Sequence, residues 1–229
     1  MPTQPLDVLF EDNHCIVVGK LAGDLMVGDS TGDETLLDRT KQYIRDRYQK
    51  PGNVFLGVVH RLDRPVSGVA LYARTTKGAS RLSEQFRTGS IEKTYLAWVT
   101  GRPTAHDGTL TDWLLKDSAT NTVRVVGEKT PRAKHAVLSY RVVESLGWRS
   151  LLEIHPQTGR PHQIRVQLAA RGWAILGDGK YGGPKSNRPG AIALHAHSLK
   201  FQHPTKKEMI KITIEPPDEW ADWFDVPND

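Results

Sequence analysis

The sequence predicts an α+β fold, with a mainly antiparallel mixed sheet flanked by helices and loops. Three observations carry this. Short runs rich in Val, Ile and Leu outnumber the stretches with helical spacing. Several neighbouring runs are joined by short turn-like segments, as the strands of hairpins are. No internal repeat, low-complexity segment or linker interrupts the chain, so residues 1–229 read as a single domain with a core from about 6 to 214.

The elements follow in order. Leu6 to Phe10 and Cys15 to Val18 flank Glu11-Asp12-Asn13-His14 and predict an opening hairpin. Gly23 to Gly32 is rich in Gly and Asp and reads as a loop. Thr35 to Tyr48 sets Leu36, Leu37, Tyr43 and Ile44 near helical spacing among charges, an amphipathic helix ending before Pro51. Val54 to Val59 reads as a buried strand, Val69 to Ala73 as another, Lys77 to Phe86 as a helix and Ile91 to Val99 as a strand. Asp107 to Lys134 is mixed and polar, and no element is assigned to it. Ala136 to Val143 and Arg149 to Ile154 read as strands around a turn at Gly147. His162 to Ala170 fits a helix with Ile164 and Leu168 on one face and Gly172 as its stop. Ala191 to Leu194 and Ile210 to Ile214 read as closing strands, with Trp220, Trp223 and Phe224 packing a short tail against the body.

Composition narrows the classes. Of 229 residues, 38% are apolar and 25% charged, as in soluble globular chains, and no run approaches the about 20 apolar residues of a membrane span. Met1 to Asp7 lacks a basic start followed by an apolar run, so no secretory signal is read and the cytoplasm is the default location. The one cysteine, Cys15, excludes an intrachain disulfide and a Cys-rich zinc site and reads as a small core residue. A net charge of +5 and a pI near 9.3 lean towards a polyanionic partner.

Three segments concentrate chemistry. In His60-Arg61-Leu62-Asp63-Arg64-Pro65-Val66-Ser67-Gly68, a carboxylate sits between two arginines, after an apolar run and before a Pro/Gly turn. Neighbouring guanidinium groups favour its ionised form, which can act as a nucleophile; the alternative is a surface ion pair with Arg61 or Arg64. In Gln157 to Arg165 a Gly-containing turn feeds a helix start, with Arg160 and Arg165 adding positive charge. Such a place suits a phosphate or a carboxylate, and equally a capped helix with solvated arginines. In Glu92-Lys93-Thr94-Tyr95-Leu96-Ala97, Lys93 and Tyr95 share one face of a strand. Tyr95 is either a stacking platform for a base or a core aromatic.

Together these segments resemble one family. His60-Arg61-Leu62-Asp63 with Ser67-Gly68 is similar to the catalytic motif of the RluA-type pseudouridine synthases. Lys93-Thr94-Tyr95, then Thr158-Gly159-Arg160 with His162-Gln163-Ile164-Arg165, resemble that family's next motifs. Gly177-Asp178 with Tyr181-Gly182, and Leu194-His195-Ala196, follow in the family order. The resemblance runs from about Leu6 to Ile214. Val66 stands where many members carry Thr or Ala, and Lys20-Leu21-Ala22-Gly23 departs from the usual Asn-Lys-Pro-x-Gly. The small S4 RNA-binding domain of many members is not expected here, because the chain before Leu6 is too short for it.

The resemblance implies the pseudouridine synthase fold and an isomerase that converts uridines of structured RNA to pseudouridine. It implies Asp63 as nucleophile, Arg165 as its ion-pair partner, Tyr95 stacked on the uracil and Arg61 in the space of the extruded nucleotide. His60, Arg64, Lys93, Arg160 and His162 join Arg61 as expected substrate-binding residues. No cofactor and no metal is expected. The expected partner is transfer RNA or large-subunit ribosomal RNA, with a slight preference for transfer RNA, and the expected state is a monomer.

Other readings fit less. A kinase loop would need a Gly-rich loop and a DFG triplet. A serine hydrolase at Ser67 would need Gly-x-Ser-x-Gly. His195-Ala196-His197 matches no standard zinc spacing. A glycosidase would want two carboxylates about 5 to 9 Å apart, where the motifs offer one among arginines. The rival from another class is a catalytically inactive RNA-binding protein or assembly factor on the same fold, which would be free to lose Asp63, Tyr95 and Arg165.

Overall fold

The computed structural model describes residues 5–29, 32–217 and 220. The chain packs as two compact units, Met1–Ile91 with Ser198–Glu215 and Glu92–His197 with Pro216–Asp229.

The first unit opens with the expected hairpin, β1 (Val8–Glu11) and β2 (Cys15–Lys20). Asp12 closes its turn by accepting the His14 and Cys15 N–H groups at 2.8 and 2.9 Å. Cys15 to Val18 are fully buried, as a strand covered on both faces must be. Helix α1 (Leu36–Arg47) starts at Thr35, whose hydroxyl accepts the Asp38 N–H while Asp38 reaches back to the Thr35 N–H, a reciprocal cap. Its buried stripe is Leu36, Thr40 and Ile44, spaced by four. β3 (Gly57–Val58) and β2 both pair antiparallel with β4 (Ser67–Ala73). Helix α2 (Thr76–Thr88) is capped by Thr75 and stopped by Gly89 in the left-handed region. Cys15, Val17, Val69, Leu71, Leu82 and Phe201 form one apolar cluster, each large side chain contributing about 1.5–3 kcal/mol by leaving water.

The second unit is an antiparallel sheet of β5 (Glu92–Thr100), β6 (Asp107–Asp117), β7 (Thr122–Val126), β8 (Lys134–Leu146) and β9 (Arg149–Pro156), in the order β5-β9-β8-β6-β7. Helix α3 (Gln163–Ala169) and a 3-10 turn at Gly179–Tyr181 follow. The segment before that turn is tied to β5: Thr100 N–H bonds Ala174 C=O at 2.9 Å, and Leu176 N–H bonds Trp98 C=O at 3.0 Å. The unit boundary falls inside β10 (Leu194–Gln202); from Ser198 on, that strand pairs antiparallel with β11 (Met209–Thr213) in the first unit.

Two expectations need correction, and one stretch left unassigned gains its elements. Val54 to Val59 is not a strand: only Gly57 and Val58 pair, while Val54 and Leu56 are buried from a loop. Ala191 to Ala193 precede β10 rather than form a strand, and β10 continues to Gln202 through the polar residues His195, His197 and Ser198. The unassigned polar stretch from Asp107 holds β6 and β7. Trp220 is buried, while Trp223 and Phe224 lie outside the described residues. Among the described residues, no helix is long and apolar enough to cross a membrane.

Candidate active site

The first unit carries His60, Arg61, Asp63 and Arg64 on the connection from β3 to β4. Leu62 is buried and anchors this connection. His60 is anchored too: Nε2 accepts the Leu71 N–H at 2.9 Å, and the ring stacks on Phe86 at 4.7 Å and 12°. Asp63 is half-buried, and its carbonyl accepts the Val66 N–H at 3.0 Å, closing a turn over Arg64 and Pro65. Arg61 and Arg64 are exposed. Arg64 donates to Asp33 at 2.8 Å and to the Gly23 carbonyl at 3.0 Å, so one of the two expected arginines is held by the Gly/Asp loop.

Sequence reading missed Lys20 as a support of this turn. Its side chain is buried, and Nζ donates to the carbonyls of Leu21, Arg64 and Val66 at 3.1, 2.9 and 2.6 Å. Two of these carbonyls bracket Pro65, immediately after Asp63. The signal in the sequence was its place in Lys20-Leu21-Ala22-Gly23, where Lys20 and Gly23 keep the Lys and Gly of the family's Asn-Lys-Pro-x-Gly.

The second unit carries Lys93 and Tyr95 on β5, both half-buried, with Tyr95 opposite Ile154 of β9. Burial pushes the Lys93 ammonium below its ordinary value. Arg165 lies in α3 at 5% exposure and forks onto Asp178, Nε to Oδ2 at 2.7 Å and Nη2 to Oδ1 at 2.8 Å. Its guanidinium carbon stands 5.1 Å from the Tyr181 ring centroid. His162 enters the helix with a left-handed φ of 50° and has Nδ1 2.7 Å from the Tyr181 hydroxyl. Arg160 is exposed and donates through Nε to the His135 carbonyl at 2.9 Å. Gln163 closes the loop before α3: its Oε1 accepts from Thr158 Oγ1 at 2.8 Å and from the Arg160 N–H at 3.0 Å. These bonds order the loop that precedes α3 rather than cap the helix itself.

Each unit thus gathers its own share of the expected residues, Asp63 in the first, Tyr95 and Arg165 in the second. Among the described residues, Asp12, Cys15 and His203 bring possible metal-ligand atoms within 4.8 Å of one another. They are bonded to each other, His203 Nε2 to Asp12 Oδ2 at 2.6 Å and Cys15 Sγ to Asp12 Oδ1 at 3.7 Å. Burial and the neighbouring carboxylate push the Cys15 thiol up to about 12, the reverse of an activated thiolate.

Comparison with known proteins agrees with the motifs. A model of the family described as RNA pseudouridylate synthase matches residues 14–170. The chain is 33% identical over 226 residues to "Ribosomal large subunit pseudouridine synthase D" of Zymomonas mobilis, covering 94% of this chain and 70% of that protein. It is 33% identical over 213 residues to "Ribosomal large subunit pseudouridine synthase C" of Escherichia coli, covering 90% of this chain and 65% of that one. The fold matches the human structure "RNA Pseudouridylate Synthase Domain Containing 4" with a TM-score of 0.78 at 23% identity, over 94% of this chain and 90% of that one. With a connection built to display one carboxylate, a buried arginine and a strand-borne tyrosine in the family order, and with these relatives, the chain belongs to the RluA-type RNA pseudouridine synthases, a family of isomerases.

Proposed function

We propose that the protein isomerises specific uridines in structured RNA with Asp63 as the nucleophile. The observation that carries this is the pinned turn: Asp63 is half-buried on a connection tied at Leu71, at Val66 and by Lys20, so its carboxylate is presented from a fixed backbone. Pseudouridine formation breaks the N1–C1′ bond, turns the base and joins C5 to C1′. The atoms of substrate and product balance, and no electron donor or acceptor is needed. Asp63 starts the cleavage as an ionised group. Arg165 pairs with it and keeps it charged and aimed. Tyr95 stacks on the uracil and assists loss of the C5 proton. Arg61 fills the space of the extruded nucleotide, and His60, Arg64, Lys93, Arg160 and His162 contact the RNA around it. The target base must leave its stack at a cost of a few kcal/mol, so a loop or weakly paired uridine is preferred.

Large-subunit ribosomal RNA is the proposed substrate, supported by the names of the bacterial relatives, with transfer RNA as the second candidate. The same relatives support a cytoplasmic location, and we take the working form to be one chain. The test is tritium release from RNA labelled at uridine C5, with separate ribosomal and transfer RNA pools. Release from one pool is expected, and Asp63→Asn, which keeps size and removes charge, is expected to abolish it while RNA binding persists. Substantial release by purified Asp63→Asn would falsify the nucleophile assignment. RNA binding without release from either pool would favour the inactive RNA-binding reading.

A further inference from the structure

Arg165 is a permanent cation almost fully withdrawn from water on a helix of only seven residues. A helix that short has little stability of its own, and a buried guanidinium is costly unless it is paired and hydrogen-bonded. Asp178, 1% exposed, supplies the pair through two parallel bonds of 2.7 and 2.8 Å. Such a fork fixes both the plane of the guanidinium and its rotation in that plane. Nη1 lies outside the fork, and its direction follows from it.

The support extends outward from Asp178. The Tyr181 ring lies over the Arg165 guanidinium. The Tyr181 oxygen accepts the Val123 N–H at 2.9 Å and shares a 2.7 Å hydrogen bond with His162 Nδ1, whose direction is set by the His162 tautomer. Asp178 itself sits in a closed turn. Gly177 N–H bonds Pro184 C=O at 2.8 Å, and Gly183 N–H bonds Asp178 C=O at 2.9 Å. At Gly183 a Cβ would meet the Ile175 carbonyl oxygen at 2.0 Å, so only glycine lets the chain close there. This accounts for Gly177-Asp178 and Tyr181-Gly182, motif residues to which the proposed reaction gives no task. Stability alone does not require the arrangement, because well-packed apolar residues of similar volume often replace a buried ion pair without loss. What the ion pair adds is direction.

We propose that Asp178 is a positioning residue of the isomerisation, holding the Arg165 guanidinium at a fixed angle, with the Tyr181 ring over its face and His162 bonded to Tyr181. This rests on the reading of Arg165 as the partner of the reacting carboxylate. Asp178 does not touch the substrate; it acts through Arg165.

The experiment uses the full-length protein and the C5-tritiated RNA pool that the wild type turns over. Single-turnover rate, RNA dissociation constant and thermal unfolding are measured for Arg165→Lys, Asp178→Asn, Tyr181→Phe and their double variants. Asp178→Asn is expected to slow the chemical step about a hundredfold with RNA affinity within about threefold, and Tyr181→Phe to slow it about fivefold. On the Arg165→Lys background both losses are expected to shrink below about threefold, because the fork is already gone. The Arg165 Nε–Hε resonance in a nitrogen–proton correlation spectrum is expected to move in Asp178→Asn. If Arg165→Lys keeps the wild-type rate, the reading of Arg165 fails. If Arg165→Lys is slow but Asp178→Asn and Tyr181→Phe are as fast as wild type, or their losses multiply with that of Arg165→Lys, the positioning role is overturned and the Arg165 reading stands. Should Asp178→Asn not fold, Tyr181→Phe, which removes one oxygen, decides by the same rate and the same cycle.

Discussion

Lys20 shows how one side chain couples a backbone turn to a titration. Its ammonium has three protons and meets three carbonyls, two of them in the turn that follows Asp63. Burial pushes its pKa down from 10.5 to about 7, with Asp24 and Asp63 pulling it partly back up. Between these values the unfolded chain binds more protons at this position than the folded one. The stability it contributes is therefore complete above 10.5 and is lost as pH falls through about 7. Relative to Lys20→Met, the wild type should gain up to about 1.4 kcal/mol for each pH unit in that window. Denaturant unfolding of both proteins at pH 7 and pH 9 measures this; a difference that does not change with pH would show that the carbonyls keep the ammonium charged. Asp63, Tyr95 and Arg165 were legible in the sequence because they sit in ordered motifs. Their supports, Lys20 and Asp178, also stand in motif segments, but what they hold was not legible. Lys20 reaches a carbonyl 46 residues away, and Asp178 lies 13 residues from Arg165, and no local pattern records such a pairing.

At the scale of elements, legibility followed the strength of the burial pattern. β2 and β4 are wholly or almost wholly buried, and α1 has a stripe spaced by four, so apolar periodicity found them. β6 has only Leu110 and Leu114 buried among eleven residues, because one face is open and its ladder bonds are invisible in composition. Val54 to Val59 erred the other way: periodicity reports burial, and Val54 and Leu56 are buried without a partner strand. The Gly177–Gly183 turn is an element of the same kind, defined by space rather than by pattern. Gly183→Ala forces a Cβ against the Ile175 and Asp178 backbone, at 2.0 and 2.9 Å, and neither can move without breaking the turn. The expected cost is about 3 kcal/mol, the upper end for overpacking, together with loss of activity. Gly127→Ala meets nothing within 4 Å and should stay within about 0.5 kcal/mol of wild type. Equal unfolding midpoints for the two variants would mean that the turn yields.

For the whole molecule, β10 belongs in part to each compact unit, which supports the proposal that residues 1–229 unfold as one domain, in one transition by two independent probes. Charge also acts at this scale. The net charge is +5, and Arg61, Arg64 and Arg160 are exposed on segments expected to face RNA. Lys and Arg side chains that neutralise phosphates release counterions, so affinity falls linearly in log–log terms with salt. A footprint of about six phosphates predicts about a thousandfold weaker binding when salt rises from about 50 to about 200 mM. Asp63→Asn should follow the same slope, since its charge lies at the chemistry and not on the backbone path. Arg160→Ala should flatten the slope by about one phosphate if it contacts the RNA backbone. A nearly flat wild-type response would assign the affinity to stacking and base contacts instead, and would make Tyr95 rather than the arginines the main determinant of binding.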